Sequence, residues 1–444
     1  MSSTEAAGEA AGRPPRRRWV RVVSGTVVAL LVAVLAIFAV RADGEPVHDV
    51  AMTDGGVWVS GGRTGHWARV SSGAHAFDVV LDGAGDIPEQ DYRAVPGERS
   101  PGHVRTPDVL QDGRHAVGVT SQGELVGFDT RTGEALEPGP SLPERAPQTG
   151  QLYFQPDIVD LRGGTIAMVD STDGQVWAVR LDPSGRADLS GLGPGAPTVA
   201  DIGGSAAVAV DVTGNVKAVS AETGEVVDIP VEGDGFGAPE RTDVEIDGIA
   251  ADITAVGEDW VVMDGASGEI FHEGAPTEPE TLPDGGQVGQ EGTGLVVAAL
   301  QQPGPEADRV AVQTVAGTAF VDLAESVGGE QPPEIVSGLD AQDRFTRQIK
   351  ISRPVVLGDC VTAAWGRASS ILHARACEPG STGVSQISPA GDTGRRAGVA
   401  VRYNQGQLVL NDLETGRVYD LALPTDELRI DTWPVPATRR TPSG

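Results

Sequence analysis

Segments bracketed by glycines ten residues apart recur along this chain, and a recurrence of that length confines it to repeat architectures. Residues 123–134 (GELVGFDTRTGE), 214–225 (GNVKAVSAETGE) and 406–417 (GQLVLNDLETGR) are the close copies. Looser copies occupy 174–185, 257–268 and 317–328, and 56–65, around Val57, Trp58 and Val59, is a shortened first one. In each, a glycine opens a strand of four to six residues rich in Val, Leu, Trp and Phe. In the close copies an Asp/Ser-x-x-Thr-Gly step then turns the chain, its last glycine free to take positive φ. Apolar runs such as Ala116–Val119, Ile166–Val169, Ala206–Val210 and Ala397–Val401 come before several copies, so three or four antiparallel strands are predicted per unit.

With the hairpin between Cys360 and Cys377 as an eighth, the units between Pro46 and Pro424 average about 47 residues, the length of a propeller blade. One small sheet cannot cover its own faces, so such units must stack face to face in a ring. The sequence therefore predicts an all-β, eight-bladed β-propeller. Seven blades are the alternative, because insertions at 139–150 and 274–286 blur the count, and tandem sandwich modules of twice the length fit less well.

Ahead of the repeats, Arg16, Arg17, Arg18 and Arg21 run into an uncharged apolar stretch from Val22 to Val40, long enough for one helix to cross a bilayer. Arginines on the near side hold the N-terminus in the cytoplasm. The expected organisation is a cytoplasmic basic tail (1–21), a single transmembrane helix (22–41), an extracytoplasmic propeller (42–428), and a Pro- and Arg-containing linker or tail (429–444). A leader cleaved after Ala42, with Val40 at the −3 position, is the alternative. The expected location is thus the cell membrane, single-pass, with the propeller outside.

Charge divides the same way. Residues 1–41 hold six arginines and two glutamates, which leaves 27 basic and 61 acidic residues beyond Arg41, a net of −34. A polyanion of this kind repels phosphate backbones and excludes nucleic acid as a partner. Only two lysines accompany 31 arginines, the codon bias of a GC-rich genome. The two cysteines, Cys360 and Cys377, are equidistant from a turn at 366–370, so they face each other on a hairpin and a cross-strand disulfide is predicted, as suits an oxidising compartment.

Residues for chemistry are sparse. No zinc-protease, phosphate-loop or serine-elbow motif occurs. The run at 191–196 imitates a dinucleotide fingerprint, but Pro194 and Pro197 disfavour the helix it needs. The seven histidines stand singly, and the acidic clusters at 78–86 and 243–247 lack the alternation of a calcium loop. Trp58, Trp67, Trp177, Trp260 and Trp365 fall on predicted strands and read as blade core rather than as sugar platforms. No catalytic, cofactor-binding or metal residue is assigned.

The pattern clearest at 214–225 resembles the blade repeat of quinoprotein-like propellers. The tryptophan that usually closes that repeat is missing after Glu134, Glu225 and Arg417, and no adjacent cysteine pair exists, which argues against a quinone cofactor. Basic lead, single span and then VHDVAMTDGGVWV (47–59) together resemble the N-terminal region of large actinobacterial surface proteins that continue into fibronectin type III or immunoglobulin-like domains. The resemblance implies a membrane-tethered display platform. The expected function is a non-catalytic scaffold that binds an envelope or cell-surface protein or polymer. The alternative is an enzyme acting on glycan or small molecule in the central channel, for which converging carboxylates are the mark.

Overall fold

The computed structural model describes residues 56–62, 64–71, 76–85, 106–143, 157–282, 298–314, 317–323, 334–337, 350–367, 370–377, 382–387, 398–413, 415–421, 429–430 and 433. The chain divides between Met52 and Thr53 into two units. The first, with the arginine cluster and the apolar run at 22–41, lies outside the described residues. Among those that are described, no helix is long and apolar enough to cross a membrane.

Eight antiparallel sheets follow one another along the chain, with one short extra hairpin (Val231–Glu232 with Gly235–Phe236) beside the fourth. We number them as blades 1 to 8: residues 56–82, 108–141, 159–201, 206–243, 251–281, 298–337, 350–387 and 399–430. The count is eight, not seven, and the fold is an all-β propeller. Blade 1 shows three strands, blade 7 five, and the others four.

Apolar alternation on both faces of each sheet builds the core between blades. One cluster joins Val169 and Val176 of blade 3 to Val208, Val216 and Val227 of blade 4, and another joins Val261 and Ile270 of blade 5 to Val310 and Val312 of blade 6. Each such side chain contributes about 1.5–3 kcal/mol by leaving water. The outer strands Glu134–Ser141 and Ala275–Thr281 carry Pro138, Pro140, Pro276 and Pro279 with several exposed glutamates, a composition that blunts a sheet edge against further pairing.

The turn reading holds at atomic level. In residues 129–133, Asp129 Oδ1 accepts from the backbone N–H of Arg131 and Thr132, Gly133 N–H donates to Asp129 O at 2.8 Å, and Gly133 takes φ +68°. Ser220 and Gly224 repeat the arrangement, as do Asp412 and Gly416. Its position in the blade differs, however. The turn joins the third strand to the fourth in blade 2, but the second to the third in blades 4 and 8. The motif encodes a hairpin, not a place in the ring.

Blade 1 meets blade 8 without exchanging a strand among the described residues. Ser60 N–H donates to Asn411 Oδ1 and Asn411 Nδ2 to Ser60 O, both at 3.0 Å, and Asn404 Nδ2 donates to Gly56 O at 2.9 Å. Arg429–Ile430 pairs with Val418–Asp420 as the fourth strand of blade 8, so pairing continues just past residue 428. Trp433 then lies against Phe77 of blade 1, its ring N–H donating to Gly416 O. Residues 434–444 lie outside the described residues.

The predicted disulfide is present. Val361 to Gly366 pairs with Ile371 to Ala376, and Cys360 and Cys377 continue that register with their Cα atoms 3.9 Å apart. Replacing both cysteines with serine should cost about 3 kcal/mol, the entropy of a loop of that length in the unfolded chain. Denaturant titration of the two proteins checks this, and thiol reductant should lower the wild type to the same midpoint.

Two histidines are buried against their own charge. His373, opposite Ala364 and Ser385, has its Nε2 buried without a hydrogen bond among the described residues, and burial pulls its pKa below the ordinary 6.5. Burial likewise lowers His272, against Asp259 and Glu280. The unfolded chain then takes up protons that the folded one refuses, so stability falls as pH drops from 6.5 through the folded values. His373→Leu should flatten the decline of melting temperature between about pH 7 and about pH 5. An unchanged slope would remove His373 from that role.

Candidate functional site in the central channel

The innermost strand of blade 7 is broken. Lys350–Ile351 and Val355–Leu357 both pair with Cys360–Gly366, and Ser352, Arg353 and Pro354 bridge the gap. Pro354 has no N–H to give the ladder, which favours an interruption there. Its neighbours stay anchored. Ser352 N–H donates to Ala364 O at 3.1 Å, and Pro354 O accepts from Gln302 N–H at 2.9 Å. Arg353 therefore leaves the sheet toward the axis of the ring.

There the guanidinium meets three other blades. Its Nε lies 2.6 Å from Oδ2 of Asp157, just ahead of the first strand of blade 3. Its Nη2 lies 2.5 Å from Oδ1 of Asp252 in blade 5, and Nη1 donates to Leu300 O of blade 6 at 3.1 Å. Blades 3 and 7 stand opposite each other in a ring of eight, so this contact crosses the channel. Burial works against the charge of Arg353, but Asp157, Asp252 and Asp160 outweigh it and raise its pKa further above the arginine range.

Asp160 completes the group. Its two oxygens accept from Leu161 N–H and, in blade 4, Val210 N–H, each at 2.8 Å. Burial, opposed by Arg162, those two N–H groups and Arg353, raises its carboxyl above the ordinary 3.8. A second ion pair stands at the meeting of blades 1, 2 and 8. Arg402 Nη2 is 2.5 Å from Asp108 Oδ1, Nη1 donates to Val109 O at 2.8 Å, and Nε donates to Asn411 Oδ1 at 3.1 Å.

Carboxylates do converge in the channel, the mark set for an enzyme, yet Asp157 and Asp252 converge on an arginine that ties them together. Chemically the arrangement is a cross-ring clamp, with Asp160 as an acid whose charge is disfavoured. The five tryptophans on the blade strands offer no sugar platform. Trp58, Trp67, Trp177, Trp260 and Trp365 are all at most 2% exposed within blade cores, as their strand positions predicted. Among the described residues no group of three His, Cys, Asp or Glu side chains is spaced to hold a metal ion. The 191–196 segment is loop, with Gly193 against Pro140.

Sequence reasoning named none of Asp157, Asp160, Asp252, Arg353 or Arg402. Two weak signals pointed to them. Arg353-Pro354 interrupts a strand run, and Arg402 sits inside Val399–Asn404, where a charged residue needs a partner.

No protein-family model matches the chain, and no curated protein sequence matches it. Among solved structures, BamB from Moraxella catarrhalis is similar over 82% of this chain and 90% of its own, at 15% identity and a TM-score of 0.44. Virginiamycin B lyase from Staphylococcus aureus is similar over 72% of this chain and 96% of its own, at 10% identity and a TM-score of 0.42. The β-propeller domain of Cps50 (Swd1) from Myceliophteria thermophila covers the same shares, at 12% identity and a TM-score of 0.42. At these levels nothing is carried from them to this chain.

Proposed function

We propose that the protein is a non-catalytic scaffold, tethered by residues 22–41 with its propeller outside the cell, where the loop rim engages an envelope or cell-surface protein or polymer. The observation that carries this reading is the clamp. Arg353 occupies the channel and binds Asp157 and Asp252 from two other blades, so the groups an acid–base enzyme would need are committed to one another. The rim of loops remains as the surface on which a rigid propeller presents contacts. The basic lead and the apolar run support the tether, and the net −34 beyond Arg41 favours a partner with cationic groups.

Purified residues 42–444, immobilised and exposed to envelope extract, should retain one partner in stoichiometric amount, and protease added to intact cells should cut the propeller but spare residues 1–21. Retention of nothing, with turnover of a glycan panel that is lost in Asp160→Asn, would replace the scaffold with the channel enzyme. Asp160 is the group that gives that second reading its footing.

A further inference from the structure

Lysine is almost absent from this protein, and one of its two lysines is buried. Lys217 lies on Val216–Ser220 in blade 4, only 2% exposed and directly opposite Asp228 on Glu225–Ile229. Its Nζ is 2.5 Å from Asp228 Oδ2 and 3.6 Å from Asp211 Oδ2. Asp211 is wholly buried and held in place, its Oδ1 accepting from the N–H groups of Thr213, Gly214 and Asn215 at 2.8–2.9 Å. Oδ1 of Asp228 is buried and accepts no hydrogen bond among the described residues.

An ion pair alone would be served better by arginine, which fills almost every other basic position and whose fork satisfies both oxygens of a carboxylate. Arginine would leave no orphaned Oδ1. A lysine amine can do what a guanidinium here cannot, which is to become acylated. We propose that Lys217 Nζ and Asp228 Cγ are joined by an amide bond, a covalent cross-strand tie in blade 4, with Asp211 as the proton carrier.

The step balances without a co-reactant. The Lys217 ammonium gives one proton to the Asp228 carboxylate, and the amine so freed attacks Cγ of the now un-ionised Asp228 carboxyl while Asp211 takes a second proton from the nitrogen. The N–C bond forms, one C–O bond breaks, and the departing oxygen leaves as water with the proton that Asp211 returns. Ammonium and carboxylate thus become amide and water, with no change of oxidation state. Burial, though opposed by Lys217 itself, raises the carboxyl of Asp228 above its ordinary 3.8, which favours the form that reacts. Holding amine and acid in contact on paired strands supplies an effective concentration of order 10⁵ M or more, which lowers the barrier to the condensation.

The scarcity of lysine gives a clean test. The full chain is purified, reduced, denatured and digested with a lysine-specific endoprotease, and its intact mass is measured. The expected result is a mass one water below that of the reduced sequence and cleavage after Lys350 only. Lys217→Arg should restore the full sequence mass. Asp211→Asn should leave most chains unlinked, and linkage at the wild-type yield would remove Asp211 from the scheme. A wild-type chain of full mass, cut after both Lys217 and Lys350, overturns the bond.

Discussion

Replacing Arg353 with methionine should lower the unfolding free energy by about 3–5 kcal/mol, because it strands a buried charge. The burden falls unevenly. Asp157 is 44% exposed and solvent can relax its share, whereas Asp252 is 1% exposed and, among the described residues, is left with only Leu300 N–H as a donor. Asp157→Asn should therefore be mild and Asp252→Asn severe. Asp252→Leu in the Arg353→Met background should recover part of the loss, since an apolar pair of similar volume removes the orphaned charge. Urea midpoints at constant slope measure all four proteins, and an Arg353→Met midpoint within experimental error of wild type would show that the clamp holds nothing.

Trp67→Ala should cost a further large amount, about 3–5 kcal/mol, at an independent site. Trp67 belongs to blade 1 but is wholly buried against blade 2, its ring 5.3 Å from that of Phe128 and its N–H donating to Asp108 O at 2.8 Å. Room for it comes from Gly118, on which a Cβ would approach two Trp67 ring atoms to 2.6 Å and Phe128 to 2.8 Å. Gly118→Ala should then be destabilising alone, by about 1–3 kcal/mol from overpacking, and less so once Trp67 is alanine, because two of the three close contacts are gone and Phe128 gains room to move. Unfolding of the four proteins in a double-mutant cycle gives the coupling. Strict additivity would show that the glycine is not there for the indole.

These two sites differ in how visible they are in the sequence. Trp67 belongs to a strand pattern, and its burial follows from period and composition. The turns at 129–133, 220–224 and 412–416 were equally legible, because hydrogen bonding within five residues needs no knowledge of the ring. So was the cysteine pair, whose facing positions follow from counting out from one turn. What local pattern could not supply was the place of each hairpin in its blade. The same turn at 129–133 and 220–224 serves different strand junctions, since the hairpin's own hydrogen bonds do not say which strands pair beyond it. The clamp was invisible for a stronger reason. Asp157, Asp252 and Arg353 are separated by roughly a hundred residues at each step, and only closure of the ring brings them within 3 Å. A charged residue in an apolar strand, as at Arg402, shows that a partner is required and not which one.

The seam between blades 1 and 8 sets a timetable for the chain as it is made. Each blade is a meander of near neighbours and can form soon after its strands leave the ribosome, but Ser60 must wait 351 residues for Asn411. Until then the face bearing Val57, Val59, Ala68 and Val70 has no cover, because Val409 and Val418 do not yet exist. The nascent protein thus carries a sticky flank for nearly its entire synthesis, and a holding chaperone that shields this one surface would matter more to yield than any that hastens the later blades.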